Sequence, residues 1–383
     1  MIITETSKLP QKNISHSFIK PYHTWVEISK TAIDHNINYY KNKIGMHNHL
    51  ALVIKGNGYG HGLQTMGKIC QDNPHVDYLC VAQLSEALTL TKAGITKPIL
   101  ILGYPDNDSA LAAHTSIEFM VDNIDYARQL NLAGSLLNHV YKIHIKIDTG
   151  LSRMGIHHRA ALPFITTIQS LPFVKIQGIY SHFAASDTNP TFTAQQLTIF
   201  NTLIKSLQNN NIHIPLIHMS NTASLNTIIY PSLYNFFRTG LGLYGLDPHN
   251  KYLKPALTWK TYISSIKTVE KGSYIGYANS YITNRTTRIA LLPIGYSDGY
   301  QFRFSNKTNV LINNQIAPII GRIAMNITII DITDIHANIH DEVTLMGDHE
   351  GITIHNLAQA AGIINVREIL TSINPLAPRI ITE

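Results

Sequence analysis

The sequence predicts an α/β fold in which a (β/α)8 TIM-type barrel is followed by a mainly antiparallel β domain. In the first two thirds of the chain, eight short apolar runs alternate with longer amphipathic stretches. Strands separated by helices indicate a parallel sheet, and eight strands close a barrel. After about residue 252, apolar alternation continues between Gly, Asn and Asp turns, which is typical of antiparallel strands. An open, doubly wound sheet is the alternative for the first part.

The chain of 383 residues exceeds a usual single domain, so about two domains are expected. We predict an N-terminal extension over 1–22, the barrel over 23–252 and the β domain over 253–383. The segment 25–28 is strand-like although it precedes the barrel. We expect this segment to pair with the second domain.

The individual elements follow from apolar periodicity and from helix-capping residues. Barrel strands are predicted over 50–54, 78–82, 98–102, 117–121, 141–147, 175–181, 214–219 and 235–238. Helices are predicted over 31–44, 62–72, 84–94, 107–114, 124–136, 158–171, 191–211 and 222–229, with Asn123 and Ser220-Asn221 supplying N-caps. In the second domain, strands are predicted over 262–269, 288–293, 308–312, 315–320, 327–332 and 342–346, and helices over 353–361 and 366–373.

Composition argues against several classes of function. The net charge of +6 is scattered and no basic run alternates with aromatic residues, so no nucleic-acid partner is expected. Mild basicity suits small anionic ligands. Cys70 and Cys80 form neither a CxxC nor a zinc pattern, so we expect no metal and a reducing compartment. With no signal peptide and no membrane-spanning apolar run, the sequence predicts a cytoplasmic protein without a membrane partner.

The most informative stretch is 53–62, which reads Val-Ile-Lys-Gly-Asn-Gly-Tyr-Gly-His-Gly. An apolar strand delivers Lys55, and desolvation there lowers the pKa of the amine and frees it as a nucleophile or Schiff-base former. Neither the P-loop nor the dinucleotide fingerprint fits, because the first needs GK[ST] and the second needs Gly where His61 stands. The remaining interpretation is a lysine bound to the aldehyde of pyridoxal phosphate. The alternative is a surface lysine beside a flexible turn.

In a barrel, residues at the carboxyl ends of the strands form the active site. Lys55, Asp148, His182, Asn221 and Arg238 all stand at such ends and should face one rim.

The fifth predicted strand alternates isoleucines with polar residues. If its isoleucines face the outer helices, the side chains at Lys142, His144, Lys146 and Asp148 point into the lumen. A buried lysine there is costly unless it is paired or chemically altered. On a surface strand the same pattern would be ordinary.

Further candidate residues lie in the loops above the rim. The Arg153 guanidinium can bind a carboxylate through two parallel hydrogen bonds, and the ring of His182 can stack on a flat heterocycle. Asn221 and Thr222 open a helix whose N-terminus fits a phosphate. A second Gly-rich approach, 237–242, follows strand eight, near which many barrels bind phosphate. Taken singly, Arg153 could equally be a surface charge and His182 a core histidine.

Taken together, these segments resemble the alanine racemase family, fold-type III pyridoxal-phosphate enzymes with a barrel and a β domain. The match runs from His23-Thr24-Trp25-Val26-Glu27-Ile28 to Pro378-Arg379. The family usually shows Lys-Ala-Asn-Ala-Tyr-Gly-His-Gly, and both alanines are glycine in this chain. The turns 275–281, 293–299 and 321–326, which alone would be read as β-turns, also fall within the match.

The resemblance implies roles for single residues. Lys55 carries the cofactor pyridoxal 5'-phosphate and is one catalytic base, and Tyr277 is the second. Arg153 and the backbone of Met325 look like substrate-carboxylate contacts, and Tyr296 matches an entrance tyrosine. The remaining implied cofactor contacts are Tyr59, Thr222, Gly240 and Leu241 at the phosphate, Arg238 at the pyridine nitrogen and His182 against the ring. Lys146 falls where members often carry a carbamylated lysine.

The implied activity is the interconversion of L-alanine and D-alanine, which supplies D-alanine for peptidoglycan and the cell wall. The resemblance also implies a homodimer in which Tyr277 reaches the site of the other subunit. Alternatives are a broad-specificity amino-acid racemase, a related barrel-type decarboxylase and a non-enzymatic pyridoxal-phosphate carrier. The decarboxylase would usually need a reactive cysteine near the rim.

Three positions depart from the family pattern. Leu-Ser-Arg-Met stands at 151–154 where Met-Gly-Arg-Leu is common. Asn326 replaces a usual Asp after Met325, which weakens an acidic partner there. Pro375 stands where some members place a phosphate-binding tyrosine, so the phosphate should depend more on Tyr59.

Overall fold

The computed structural model describes residues 22–104, 112–113 and 115–383. Of the predicted N-terminal extension, only Tyr22 falls within these ranges, and most of the predicted helix 107–114 lies outside them. The predicted fold class is confirmed. A nearly closed, eight-stranded parallel barrel is joined to antiparallel sheets in the C-terminal part of the chain.

All eight predicted barrel strands are present, and each pairs in parallel with its neighbours. One strand, β1 (Thr24–Ser29), precedes them and belongs to another sheet. The barrel consists of β2 (His49–Val53), β3 (Tyr78–Val81), β4 (Ile99–Ile101), β5 (Ile117–Val121), β6 (Tyr141–Asp148), β8 (Val174–Tyr180), β9 (Leu216–His218) and β10 (Phe236–Thr239). The short β7 (Ile156–His157) pairs with the end of β6.

Helices connect the strands and cover the outside of the barrel. They are α1 (Lys30–Ile44), α2 (Lys55–Tyr59), α3 (Leu63–Asp72), α4 (Leu84–Lys92), α5 (Ile124–Leu137), α6 (Ala161–Gln169), α7 (Pro190–Asn209) and α8 (Thr222–Thr227). The predicted N-caps are confirmed, because Oδ1 of Asn123 accepts from Tyr126 N at 2.8 Å and Oδ1 of Asn221 accepts from Ser224 N at 2.9 Å. A capping side chain satisfies an otherwise orphaned helix N–H.

Side chains close the barrel between β9 and β10, where the strand ladder is interrupted. Asn235 Oδ1 accepts from Ile217 N at 3.0 Å. Nearer the rim, Ser220 Oγ accepts from Arg238 N at 2.8 Å. These bonds satisfy buried main-chain donors that a strand partner would otherwise take, and they fix the height of Arg238 in the barrel.

The two faces of β6 divide as predicted. Ile143, Ile145 and Ile147 belong to the large apolar core under the helices. His144 and Lys146 are buried on the lumen side. The lumen is therefore not wholly apolar, and the surface-strand alternative for this segment is wrong.

The C-terminal part of the chain forms two sheets. Its strands are β11 (Leu257–Tyr262), β12 (Ser265–Val269), β13 (Thr287–Leu292), β14 (Asn309–Ile312), β15 (Gln315–Pro318), β16 (Thr328–Asp331), β17 (Glu342–Met346) and β18 (Arg379–Thr382). The six-stranded sheet has the order β15-β14-β17-β11-β1-β18, and the three-stranded sheet the order β12-β13-β16. β1 pairs antiparallel with β11 and parallel with β18, which confirms the expected pairing of segment 25–28. The helices α9 (Ile354–Ala361) and α10 (Arg367–Ser372) follow β17.

The prediction of one strand over 262–269 is wrong, because the chain changes sheets within it. Ile263 N donates to Asp341 O, next to the six-stranded sheet, and Ser264 N donates to Leu291 O in the three-stranded sheet. Apolar alternation continues across this switch, so the sequence pattern does not reveal it. The strand β18 was not predicted.

The loop after β2 takes a rare conformation. Within α2, Gly56, Asn57, Gly58 and Tyr59 all have positive φ between 51° and 63°, so this turn is left-handed. A left-handed helix costs roughly 1–2 kcal/mol per residue with a Cβ, and Gly and Asn tolerate it best. The two glycines that replace the family's alanines therefore lie where they reduce strain.

The second domain holds the end of this turn. The Arg379 guanidinium donates to the Gly60 carbonyl from Nε at 3.1 Å and from a terminal nitrogen at 3.0 Å. Gly60 has φ +83°, and a Cβ there would lie far inside van der Waals contact with the Leu370 carbonyl of α10. The position of the Lys55 loop thus depends on both domains.

We predict that Gly60→Ala destabilises the protein far more than Gly94→Ala. Gly94 has a similar φ of +85° but open space around it, so its variant measures the backbone cost alone. Overpacking against a carbonyl should add about 1–3 kcal/mol. Urea unfolding of both variants measures the difference, and equal losses of stability would contradict the close packing of α10 on the loop.

Candidate active site

A cavity of about 480 Å³ opens at the carboxyl ends of the barrel strands, a size suited to a small cofactor. Most of the predicted site residues line it. They are Lys55, Tyr59, Lys146, Arg153, His182, Asn221, Thr222, Arg238, Gly240 and Leu241. The structure thus gathers, at one rim, residues that lie up to 186 positions apart in the sequence (55 to 241).

Lys55 stands where β2 ends and the left-handed turn begins. Burial, and then the charge of Arg153, lower the pKa of its amine below the ordinary value. Glu86 is close, but its carboxylate accepts from Gly56 N at 2.7 Å and from Ala82 N at 2.8 Å. The Lys55 amine is therefore easier to deprotonate than a surface lysine, as a nucleophilic amine requires.

Lys146 projects into the cavity from β6 and is buried. Its amine lies 4.4 Å from the centre of the Tyr180 ring. Burial, followed by the charges of Arg238 and Arg153, holds the pKa of this amine well below the ordinary lysine value. No carboxylate among the described residues comes within 4 Å of it, so the amine is neutral or needs a covalent change to become a stable charge partner.

Arg238 lies on β10 with its guanidinium buried in the lumen. One terminal nitrogen donates to the Ser181 carbonyl at 2.9 Å, and the other is bonded to Nδ1 of His218. The guanidinium also lies over the Tyr180 ring at 5.0 Å. Arginine has donors only and stays charged in proteins, so the group presents a fixed positive donor to the cavity.

His182 follows β8 and contacts the same guanidinium. Burial, then the charges of Lys146 and Arg238, hold the pKa of its ring well below the ordinary histidine value. The imidazole is consequently neutral. A neutral ring at this position can lie against a flat heterocycle without adding charge to an already positive cavity.

Two loops meet at the far end of the cavity. Thr222 Oγ1 accepts from Gly240 N and from Gly242 N, each at 3.2 Å. Tyr59 packs closely against Gly240, because a Cβ at position 240 would come within 2.9 Å of the Tyr59 hydroxyl oxygen. Burial raises the pKa of Tyr59, so its hydroxyl remains a hydrogen-bond donor.

Arg367 also lines the cavity and was not predicted. It stands at the start of α10, and its Nε donates to Asn365 Oδ1 at 2.7 Å. Its charge lowers the pKa of Tyr59 against the effect of burial. A basic residue on a helix of the second domain carries no sequence signal for this site, because only the packing of α10 on the 55–60 loop brings it there.

Three predicted residues do not line the cavity of their own chain. Tyr277 is 72% exposed, Met325 55% and Tyr296 46%. Tyr296 N donates to Ala324 O at 3.1 Å, so Tyr296 and Met325 lie side by side. Their surface belongs to the second domain and faces solvent in the single chain.

Two residues that depart from the family pattern, Asn326 and Pro375, form local hydrogen bonds. Asn326 Nδ2 donates to Ser297 Oγ at 2.7 Å, and Ser297 Oγ donates to Met325 O at 2.8 Å. An amide can make this bond as a donor, whereas an ionised carboxylate could only accept. Pro375 O accepts from Arg379 at 3.1 Å, so this position helps to orient the arginine that holds Gly60.

A parallel barrel with a cavity of basic side chains at the carboxyl ends of its strands, extended by a β domain, defines the class of barrel enzymes. Residues 28–248 match the family model "Alanine racemase, N-terminal domain", and residues 256–381 match "Alanine racemase, C-terminal domain". The chain belongs to the alanine racemase family, whose members are isomerases.

Individual relatives support this assignment. The chain is 38% identical over 368 residues to alanine racemase 2 of Oceanobacillus iheyensis, with 93% of each chain covered. It is 37% identical to an alanine racemase of Clostridium perfringens, covering 93% of this chain and 94% of that one. The likeness therefore spans both domains.

Solved structures give the same result. The alanine racemase of Clostridium difficile 630 superposes with a TM-score of 0.89 at 30% identity, covering 95% of this chain and 97% of that one. The alanine racemase of Bacillus anthracis with bound L-Ala-P gives a TM-score of 0.86 at 31% identity, covering 95% and 96%.

The described residues form neither a membrane-spanning helix nor a metal-binding cluster. None of the helices they form has the length and apolar character needed to cross a membrane. Over 22–104, 112–113 and 115–383, His, Cys, Asp and Glu side chains form no group of three or more that could hold a metal ion.

Buried neutral histidines should make the fold sensitive to acid. Burial lowers the pKa of His61 to about 4, while an unfolded histidine titrates near ~6.5. Between these pH values His61 is protonated in the unfolded chain but not in the folded protein. The free energy of unfolding therefore falls as the pH drops from about 6.5 to about 4. We predict that His61 contributes a loss of about 2 kcal/mol between pH 7 and pH 5.

Urea unfolding at pH 7 and pH 5 measures this loss, and His61→Asn should reduce the pH dependence by that amount. His213→Asn is the matched control, because the His213 side chain is exposed and remains in water in both states. An unchanged pH dependence in His61→Asn would show that His61 is not the buried neutral group described above.

Proposed function

We propose that the protein interconverts L-alanine and D-alanine with pyridoxal 5'-phosphate as its cofactor. The single observation that carries this proposal is the low-pKa amine of Lys55 at the rim of a cavity lined by cations. Such an amine can bind an aldehyde, and the cations suit the phosphate of the cofactor and the carboxylate of the substrate. Membership of the alanine racemase family points to the same activity.

The residues present fit this cofactor. Lys55 would hold the aldehyde, His182 would lie against the ring, and Arg238 would face the ring nitrogen. The phosphate would lie at the far end of the cavity, held by Tyr59, Asn221, Thr222, Gly240 and Leu241. Arg367 adds a positive charge at that end, where Pro375 replaces a tyrosine found in some members of the family.

Racemisation requires a proton to leave one face of Cα and return on the other. When bound, the cofactor delocalises the electron pair that remains after the proton leaves. Lys55 and Tyr277 would each take or return the proton on one face, so the substrate need not turn over. Arg153 and the backbone of Met325 would hold the substrate carboxylate, and Tyr296 would stand at the entrance.

This division of roles needs two subunits. Tyr277, Tyr296 and Met325 do not line the cavity of their own chain, and their side chains are exposed. We therefore propose a homodimer in which the second domain of one subunit covers the barrel rim of the other. The symmetry of a dimer would then complete two equivalent sites.

Lys146 is a strong candidate for carbamylation. A neutral amine attacks CO2: its nitrogen forms a bond to the carbon, one C=O π bond breaks with its electron pair moving to oxygen, and one N–H proton leaves to water. The product is an anionic carbamate, which would resolve the cost of an unpaired lysine among Arg153 and Arg238. Such a group would also hold Arg153 in place for the substrate carboxylate.

The alternatives differ in what they require. A barrel-type decarboxylase usually uses a reactive cysteine, but burial raises the pKa of both Cys70 and Cys80 to about 12, so both thiols stay protonated. A pyridoxal-phosphate carrier has no need of Tyr277. A broad-specificity racemase has the same residues as an alanine racemase, and only assays on other amino acids separate the two. We place the reaction in the cytoplasm, where D-alanine would serve peptidoglycan and cell-wall synthesis.

The direct test incubates the purified protein, loaded with pyridoxal phosphate, with L-alanine. A stereospecific D-amino-acid oxidase measures the D-alanine formed, and other L-amino acids are run in parallel. We expect D-alanine to form faster than any other D-amino acid. Equal rates for larger amino acids would indicate the broad-specificity racemase, and absence of any D-amino acid would contradict the proposal.

A mixed dimer tests whether the site is shared. Lys55→Ala and Tyr277→Phe are co-expressed with different tags, and dimers carrying both tags are purified. If the bases come from different subunits, one of the two sites is intact and the mixed dimer has about half the activity of the parent. Each variant alone is the control. A mixed dimer as inactive as its components would show that both bases belong to one chain.

Replacement of Arg238 tests the control of reaction type. A guanidinium has no acceptor, so a cofactor ring nitrogen facing it would stay unprotonated and the cofactor would be a weaker electron sink. A weaker sink should suppress transamination. We predict that Arg238→Glu raises the ratio of transamination to racemisation, measured as pyruvate formed per D-alanine formed. A ratio no higher than that of the parent would refute this role.

A further inference from the structure

A chain of buried polar side chains runs through the barrel lumen beneath the cavity. Its members are Glu118 on β5, His144 on β6, His218 on β9 and Arg238 on β10. The distance from His144 Nε2 to Glu118 Oε2 is 2.7 Å, and that from His144 Nδ1 to His218 Nε2 is 2.8 Å. The other nitrogen of His218, Nδ1, is bonded to the Arg238 guanidinium. Of the four, only Arg238 lines the cavity.

The chemistry of the two ends sets the direction of every bond. Arg238 can only donate, so Nδ1 of His218 must accept and carries no proton. The single proton of a neutral His218 is then on Nε2, which donates to Nδ1 of His144. His144 in turn donates from Nε2 to Glu118, whose carboxylate can only accept. Both imidazoles are thereby fixed as neutral Nε2–H tautomers, and a second proton on either ring would place two donors face to face.

The surroundings of His218 support this assignment. Its ring stacks on Tyr180 with an interplanar angle of 3° and a centroid distance of 4.7 Å. Burial, and then the charge of Arg238, hold the pKa of His218 well below the ordinary value. A neutral ring between a guanidinium and a second imidazole is therefore the stable form.

The barrel backbone is shaped around His144. A Cβ at Gly178 on β8 would lie far inside contact with Nδ1 of His144. The pairing of β6 with β8 also shifts register between Ile143 and His144. A bulge and a glycine beside one ring show that the strands make room for that ring inside the lumen.

The far end of the chain reaches the opposite mouth of the barrel. Glu118 is buried. The Lys142 side chain is half exposed to solvent, and its Nζ lies 3.7 Å from Oε1 of Glu118. The Tyr78 hydroxyl donates to the same oxygen at 3.5 Å. Both groups present hydrogen-bond donors to the Glu118 carboxylate, which is the final acceptor of the hydrogen-bonded series.

We propose that Glu118, His144 and His218 are positioning residues that fix the guanidinium of Arg238 through a one-directional chain of hydrogen bonds. With one nitrogen held by His218 and another by the Ser181 carbonyl, the guanidinium plane cannot rotate. Its remaining donors are then aimed at the cavity. The effect of Arg238 on the cofactor ring rests on the proposed function. The series of hydrogen bonds from Glu118 to Arg238 does not depend on it.

Histidine tautomers in the cofactor-free protein test the chain directly. Long-range ¹⁵N–¹H correlation spectra at pH 7 distinguish the Nε2–H, Nδ1–H and doubly protonated rings, and His144→Gln and His218→Gln spectra assign the signals. We expect both histidines to be neutral Nε2–H tautomers. An Nδ1–H or doubly protonated ring at either position overturns the proposal, whatever reaction the enzyme catalyses.

A pair of substitutions at Glu118 tests the effect on Arg238. Glu118→Leu removes the final acceptor, while Glu118→Gln keeps an oxygen that can accept from His144. Loss of a hydrogen bond in a charged network should weaken binding of pyridoxal phosphate to the cofactor-free protein about tenfold in the Leu variant. The Gln variant should stay close to the parent. Fluorescence titration with the cofactor measures both dissociation constants.

Equal affinities in the Leu variant and the parent, or equal losses in both variants, contradict the positioning role. If Glu118→Leu does not fold, Gly178→Ala displaces His144 without altering a polar group and should weaken cofactor binding in the same way. An unchanged affinity in that variant also contradicts the proposal. A parent that binds the cofactor normally but forms no D-alanine would contradict the proposed function and leave the chain intact.

Discussion

The structure depends on an imbalance of charge at the barrel rim. Five basic side chains line the cavity (Lys55, Lys146, Arg153, Arg238 and Arg367), and Asp187 is the one acidic residue among its described lining residues. Burial, and then the positive charges of the neighbouring arginines, lower the pKa of the two amines, so the amines lose their protons more easily while the arginines keep theirs. The same field attracts a phosphate and a carboxylate. The positive charges at the rim therefore contribute both to the low pKa of Lys55 and to the attraction of an anionic ligand.

The second domain contributes to this site from two directions. Within the chain, Arg379 and the close approach of Leu370 to Gly60 hold the left-handed turn that carries Lys55. Across the proposed dimer, the turn bearing Tyr277 would complete the cavity from the other side. A barrel alone would lack the contacts of Arg379 and Leu370 with the loop and, on the proposed mechanism, the second base as well.

Much of the fold was predictable because the barrel strands and helices obey simple periods. The inward direction of His144 and Lys146 followed from alternation with the isoleucines of β6. Of the five residues predicted at the carboxyl ends of strands, Lys55, His182, Asn221 and Arg238 line the cavity, whereas Asp148 does not. The switch of sheets at Ile263 and Ser264 was not predictable, since it depends on carbonyl partners at Asp341 and Leu291 that are distant in sequence. Arg367 and Glu118 were missed because the residues that they adjoin in the folded protein are distant in sequence. The roles of Tyr277, Met325 and Tyr296 came from family resemblance alone.

The attachment of the cofactor at Lys55 is the central claim, and chemical labelling tests it most directly. The protein is loaded with pyridoxal phosphate, reduced with borohydride, digested and mapped by mass spectrometry. The account predicts one reduced pyridoxyl group, on the peptide that contains Lys55. A label on Lys146 or on any other lysine, or no label at all, would contradict it.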